Sequence, residues 1–391
     1  MRVLFATTGN LGHFLPQVPL ARALAEAGHE VRVSAPRSFA EQVTAAGLDP
    51  VPFGEPSRAA VGRVFAEMAG LSVQEADRRV LRDVFGHLDG GAALSGVVDA
   101  VRTWRPQLVV RDPAELASLA AAEAEGVPHA VAAIALDTFV DEVAPDVAEP
   151  LDVLADRVGL AGASLLEALR TAPSFTTLPA SFDPVAVPAP RAVERYRAVA
   201  APAAPAAGTQ LPPWGRPDDP LVYVSLGSVA GTMPGTADTF AAMLGALAPL
   251  EVRVLLTVGR GVDPDGLRPW PANARVVRWW DQAAVMPHAA VVVGHGGFGT
   301  TTAALAAGVP QVAVPLFSTD QWANARRLAE IGAGVLVTTD DTFREQLAAG
   351  VRRVLSDPAL RAVARGLAAD MAALPPASAM VGRLEALASA A

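Results

Sequence analysis

Apolar positions follow two alternating rhythms along this chain. Short unbroken apolar runs, of the kind buried on both faces of a parallel sheet, are each followed by a stretch with helical spacing. In the first half the runs predict strands at Val3–Ala6, Val31–Ala35, Leu108–Val110 and Ala130–Ala135, and helices at Pro16–Ala27, Phe39–Ala46 and Glu115–Glu125. Residues Glu55 to Trp104 break the rhythm with a long, mostly helical insertion that carries no strand signal. Insertions of that kind often hold substrate contacts. Around residues 198–220 the chain turns to Ala and Pro, which sustain neither period and predict an extended linker. A second series of strands follows at Leu221–Leu226, Val252–Val258, Val276–Trp279, Ala290–Val293, Gln311–Val314 and Val335–Val337. Two closing helices, around Asp357–Leu374 and Ala377–Ala390, are split by Pro375-Pro376. The last of them reads equally well as an ordinary closing helix or as one that returns to the first domain.

The pattern predicts an α/β fold of two Rossmann-like doubly wound domains facing across a cleft, with ligands at the carboxyl ends of the strands. The expected layout is residues 1–205 as the first domain, 206–215 as linker, 216–374 as the second domain and 375–391 as a tail packing back on the first. A chain of 391 residues suits two cores better than one. Hydrophobic residues make up 51% and charged residues 18%, which fits helices on buried sheets and not a disordered chain. The formal net charge is −9 and every one of the 31 basic residues is Arg, so no phosphate-tracking basic face is expected and nucleic acid is a poor partner. Without any Cys there is no thiolate nucleophile, thiolate metal site or disulfide to consider. The amino terminus runs directly into a strand with no signal-peptide pattern, and no run approaches the ~18 apolar residues of a membrane span. Cytoplasm is the default location.

Candidate chemistry is densest in Val292-Val293-Gly294-His295-Gly296-Gly297-Phe298-Gly299-Thr300-Thr301-Thr302. A strand ends, glycines clear the turn, and a helix starts near Gly299, so free N–H groups and the positive end of the helix dipole form an anion cradle. His295 adds a donor there. In isolation, a glycine-rich turn with a capping Thr would look the same. Downstream, Asp320 and Gln321 fall at another strand end, where a carboxylate beside an amide can bracket vicinal hydroxyls. Helix capping by Thr319 or Asp320 is the alternative. Upstream, Trp279-Trp280-Asp281-Gln282 places two indoles at a strand tip, where one could stack on a nucleobase and the other belong to the core.

Taken together, the run from Trp279 to Asn324 resembles the donor signature of GT-B nucleotide-sugar glycosyltransferases. That is the large family of UDP-glucuronosyltransferases, plant secondary-product transferases and actinomycete antibiotic transferases. Thr7-Thr8-Gly9-Asn10-Leu11-Gly12-His13 resembles its first loop, which ends in the catalytic histidine, and Ser225-Leu226-Gly227-Ser228 its second phosphate-contacting loop. Among subfamilies the chain most resembles bacterial natural-product transferases. The resemblance implies stacking of the base on Trp279, with Trp280 and Gln282 beside base and ribose. It puts Gly227, Ser228, His295, Gly297, Phe298, Gly299 and Thr300 at the diphosphate, Asp320 and Gln321 at the sugar, and makes His13 the general base. The family usually has Trp-Val-Pro-Gln where this chain has Trp279-Trp280-Asp281-Gln282.

The implied activity is inverting transfer of a deoxysugar or other sugar from a TDP- or UDP-sugar to a hydroxyl of a hydrophobic, polyketide-type aglycone in antibiotic biosynthesis. No cofactor and no metal are expected. The acceptor-binding residues stay unassigned, and self-association into a homodimer is left open. Asp112, after the strand at Leu108, either hydrogen-bonds the imidazole of His13 or caps a helix before Pro113. Asp263-Pro264-Asp265 spells a metal-binding triplet of another glycosyltransferase fold, but lies in a Gly/Pro turn where Asp is expected anyway. His29, His87, His129 and His288 have no partners at metal spacing. A dinucleotide-dependent oxidoreductase is the rival enzyme, yet the full Gly-x-Gly-x-x-Gly is missing and no acidic residue closes the second strand. Nucleotide-sugar epimerases fit Asp320-Gln321 less well, and a catalytically silent partner protein is disfavoured by His13.

Overall fold

The computed structural model describes residues 1–68, 70–185, 189–198 and 213–390. The expected linker therefore lies largely outside the described residues. The chain divides into two compact units, Met1–Val199 with Leu374–Ala391, and Ala200–Ala373.

In the first unit β1 (Arg2–Ala6), α1 (Leu11–Phe14), α2 (Val18–Glu26), β2 (Glu30–Pro36), α3 (Ala40–Ala45) and β3 (Asp49–Phe53) come first. The helical insertion is α4 (Arg58–Glu67), α5 (Val73–Arg79), a π-helix (Val80–Asp89) and α6 (Gly90–Trp104). Then come β4 (Leu108–Arg111), α7 (Leu116–Ala124), β5 (His129–Ala132), α8 (Phe139–Val158), α9 (Gly162–Thr171), β6 (Ser174–Thr176) and β7 (Val193–Arg195). Among the described residues the strands pair in parallel in the order β3-β2-β1-β4-β5-β6-β7.

The periodicity located β1, β2, β4 and β5 but not β3, β6 or β7. β3 carries Pro50 and Pro52 within its five residues, and proline cannot donate to a ladder; it survives because it is an edge strand. β6 (Ser-Phe-Thr) and β7 (Val-Glu-Arg) each hold a single apolar residue and so show no apolar run.

In the second unit β8 (Leu221–Ser225), α10 (Thr236–Leu247), β9 (Arg253–Thr257), β10 (Ala274–Val277) and α11 (Gln282–Val285) precede β11 (Ala289–Gly294). After it come α12 (Phe298–Ala306), β12 (Gln311–Ala313), α13 (Thr319–Glu330), β13 (Gly334–Leu336), α14 (Phe343–Ser356) and α15 (Pro358–Ala373). Their parallel order is β10-β9-β8-β11-β12-β13. In both sheets the order reverses beside the first strand, between β1 and β4 and between β8 and β11. A crevice opens at the carboxyl ends of the strands at such a reversal, and ligands of doubly wound sheets bind there.

Each sheet is buried by apolar side chains on both faces. Val3, Phe5 and Val110 pack to one side of the first sheet, and Leu4 and Val109 to the other against α6 and α7. The tail helix α16 (Val381–Ser389) belongs to the first unit, where Ala377, Met380 and Leu384 join the cluster of Phe5 and Leu24. The N–H of Arg197 donates to the Pro375 carbonyl at 2.7 Å, and His29 pairs with Glu385 at 3.0 Å, so the tail is tied at both ends.

Candidate active site

At the β1–β4 reversal the chain crosses the sheet edge from Thr7 to Asn10. The side chain of Asn10 accepts the Gly12 N–H at 3.0 Å, capping the short α1, whose last turn presents His13. The Nδ1 of His13 lies 3.2 Å from Oδ1 of Asp112, the residue directly after β4. Asp112 is fully buried and densely satisfied: Oδ1 also accepts the N–H groups of Ala114 (2.7 Å) and Glu115 (3.1 Å). Its Oδ2 accepts the Thr8 N–H (2.8 Å) and the Thr7 hydroxyl (3.2 Å). One carboxylate thus both holds the imidazole and caps the turn into α7.

Burial alone would push the Asp112 carboxyl up, but the facing His13 and these donors outweigh it and hold it below the usual carboxylate value. An ionised Asp112 selects the tautomer in which Nδ1–H donates, which leaves Nε2 as the nitrogen able to take a proton.

At the β8–β11 reversal Gly227 and Ser228 follow one strand and His295 to Gly297 the other. The helix α12 has Gly297 as its N-cap with no side-chain cap, so its first N–H groups stay available to ligand oxygens. The His295 ring is held between two glycines. A Cβ on Gly227 would meet its Cε1 at 2.7 Å, and one on Gly297 its Nε2 at 2.3 Å. Burial pushes the His295 imidazole down to about 4, and among the described residues its buried Nδ1 has no hydrogen-bond partner. His295 is therefore neutral near pH 7 and offers a hydrogen bond, the donor role expected of it, while the positive end of a helix dipole lies at the N-terminus of α12.

A second interlock fixes this loop. Gly296, at φ +81°, places its carbonyl 2.8 Å from the Nδ2 of Asn324, and a Cβ there would meet the Gln321 carbonyl oxygen at 2.5 Å. Asn324, absent from the candidates named by sequence, is buried on α13 one turn beyond Gln321. That i to i+3 spacing was the available signal. The side-chain oxygen of Gln321 accepts the N–H groups of Leu316 (2.9 Å) and Phe317 (3.3 Å), so its own loop takes that oxygen and leaves the amide nitrogen as the donor. Asp320 accepts the Ser318 hydroxyl.

The two indoles separate sharply. Trp279 is 73% exposed, a free face at the tip of β10, whereas Trp280 packs on the core cluster of Val285 and Met286. Trp280 is therefore floor and not stacking surface. Asp281, where the family has proline, accepts the Ala283 N–H at 3.0 Å and so caps α11. The amide of Gln282 donates to the buried Thr300 hydroxyl at 3.3 Å, joining the Trp279 loop to α12. Ser228, Phe298 and Gly299 lie on the same carboxyl edge, with Phe298 turned into the core. Asp263 accepts the Asp265 N–H and Asp265 pairs with Arg268 at 2.7 Å, the turn role expected of them. His87 and His129 pair with Glu149 and Glu123.

A histidine–carboxylate pair on one doubly wound unit and an anion cradle with an exposed indole on another define a GT-B glycosyltransferase. The N-terminal and C-terminal models of the erythromycin biosynthesis protein CIII-like family match residues 22–143 and 241–387. L-demethylnoviosyl transferase of Streptomyces niveus is 31% identical over 96% of this chain and 95% of its own. Tylactone mycaminosyltransferase of Streptomyces fradiae is 32% identical over 99% and 92%. The solved structure of the glycosyltransferase VinC in complex with dTDP superposes with a TM-score of 0.77 at 25% identity, covering 100% of both chains. The chain belongs to the erythromycin biosynthesis protein CIII-like family of natural-product glycosyltransferases, and it is an enzyme. Among the described residues, no helix is long and apolar enough to cross a membrane.

Proposed function

We propose that this enzyme moves a deoxysugar from a TDP-sugar onto a hydroxyl of a hydrophobic polyketide-type aglycone, as a step of antibiotic biosynthesis, by a single inverting displacement. The observation that carries the reading is the His13–Asp112 pair at 3.2 Å. An acceptor hydroxyl is a poor nucleophile until its proton is drawn off, and an imidazole oriented by a buried carboxylate takes it. Asp112 stabilises the imidazolium that results. The diphosphate rests on the first turn of α12, Ser228 and the neutral His295, while Trp279 stacks on the thymine and Asp320 and the Gln321 amide meet the sugar.

The choice of TDP and of a deoxysugar is supported by the relatives, of which one bears mycaminosyltransferase in its name and one was solved with dTDP. Donor departure on backbone N–H groups makes a divalent metal unnecessary. The test is turnover of a TDP- and UDP-deoxysugar panel against macrolide and anthracycline aglycones with excess chelator. Glycoside formed from a TDP-sugar at undiminished rate, with the anomeric configuration inverted, is expected. Retained configuration, or activity lost to the chelator, would contradict the mechanism.

A further inference from the structure

His13 and Asp112 are not the only titratable groups around the β1–β4 reversal. The π-helix Val80–Asp89 precedes α6, and windings of this kind are rare and recur at functional sites. Glycines set its position against α8. A Cβ on Gly86 would lie 2.5 Å from Pro150 Cγ, and one on Gly90 3.2 Å from Leu154 Cδ1. Phe85 and Asp89 each stand one position before those glycines, one turn apart on another side of the ridge. The Phe85 ring packs on the His13 imidazole with centroids 5.6 Å apart and planes at 44°. Asp89 is half-buried, and among the described residues its carboxyl makes no hydrogen bond or ion pair.

We propose that Asp89 is a positioning residue of the transfer reaction: the π-helix holds its carboxylate beside the His13–Asp112 pair, where a second negative charge makes the imidazole a stronger base. The inference rests on the reading of His13 as that base.

The charges that act on Asp89 come from three other elements. They are His13 on α1, Asp112 after β4 and Glu55 after β3. On α8, Glu149 is taken by His87 (2.6 Å) and Arg157 by the Gly91 carbonyl (3.0 Å), so neither answers Asp89. Burial first, then Asp112 and Glu55, push the Asp89 carboxyl up to about 6, with His13 acting in the opposite sense. Asp89 therefore changes charge close to the ordinary histidine value.

The same placement carries a stability cost of definite sign. A carboxyl raised in the folded state binds its proton more tightly there than in the unfolded chain. The cost is absent below the ordinary value of 3.8 and fully present once pH rises past about 6. An ordinary structural aspartate would behave in the opposite way.

The experiment follows the His13 Cε1 proton by NMR titration of the full-length protein, assigned with His13→Gln. It uses wild type, Asp89→Asn and Asp89→Glu, with kcat/KM against pH and thermal melting recorded on the same samples. In Asp89→Asn the pKa of His13 is expected to fall by about 0.5–1 unit. The rise of kcat/KM moves to lower pH with it, the plateau drops a few-fold, and Tm at pH 8 increases; Asp89→Glu restores the His13 titration. An unchanged His13 titration in folded Asp89→Asn, or a loss of Tm at pH 8, would overturn the inference. A His13 pKa that moves while the kcat/KM profile stays put would uphold the coupling and overturn His13 as the base.

Discussion

At the residue scale the site turns on how Asp112 stays ionised while fully buried. Five donors converge on two oxygens, counting the His13 ring with the Thr7, Thr8, Ala114 and Glu115 groups. Its folded-state pKa is depressed, so the stability it supplies is present above the ordinary value and lost as pH falls through the depressed one. Asp112→Asn should therefore lower Tm at pH 7 and converge on wild type in acid, and it should lower kcat by less than removal of His13. Equal Tm values at pH 7, measured by calorimetry, would contradict this account of the carboxylate. The sequence left Asp112 open between bonding His13 and capping a helix, and the carboxylate does both. Asp89 was not legible, because its role depends on a π-helical register that no apolar period reveals.

Among the elements, the long buried strands and the glycine-rich turn into α12 were readable from pattern alone. Strands β3, β6 and β7 were not. Two prolines mask the first and polar residues the others, and only tertiary pairing makes them strands. The donor loops show the same limit. Trp279, His295 and Asp320 stand out in the sequence as candidates, but the interlock of Asn324 with Gly296 does not, because it requires α13 and the α12 loop to be adjacent. That bond is buried and 2.8 Å long. Asn324→Ala leaves the Gly296 carbonyl unsatisfied and should cost about 1–3 kcal/mol of stability while weakening TDP binding. Calorimetric titration with TDP beside a denaturant melt checks both; a destabilised variant with unaltered TDP affinity would show that the interlock does not shape the donor loop.

Over the whole molecule, the proposed base and the proposed donor residues fall in separate units, and the tail returns to the first. Removing residues 375–391 would uncover the core positions filled by Ala377, Met380 and Leu384. The first unit should melt earlier, with TDP affinity little changed because the proposed nucleotide residues lie within Ala200–Ala373. Loss of TDP binding in a still-folded truncation would contradict that division. The central claim is that His13 draws the proton from the acceptor, and its most direct test is kcat of His13→Ala with the TDP dissociation constant measured on the same protein. The account predicts kcat lower by roughly 10²–10⁴ with TDP affinity unchanged; a near-normal kcat would contradict it.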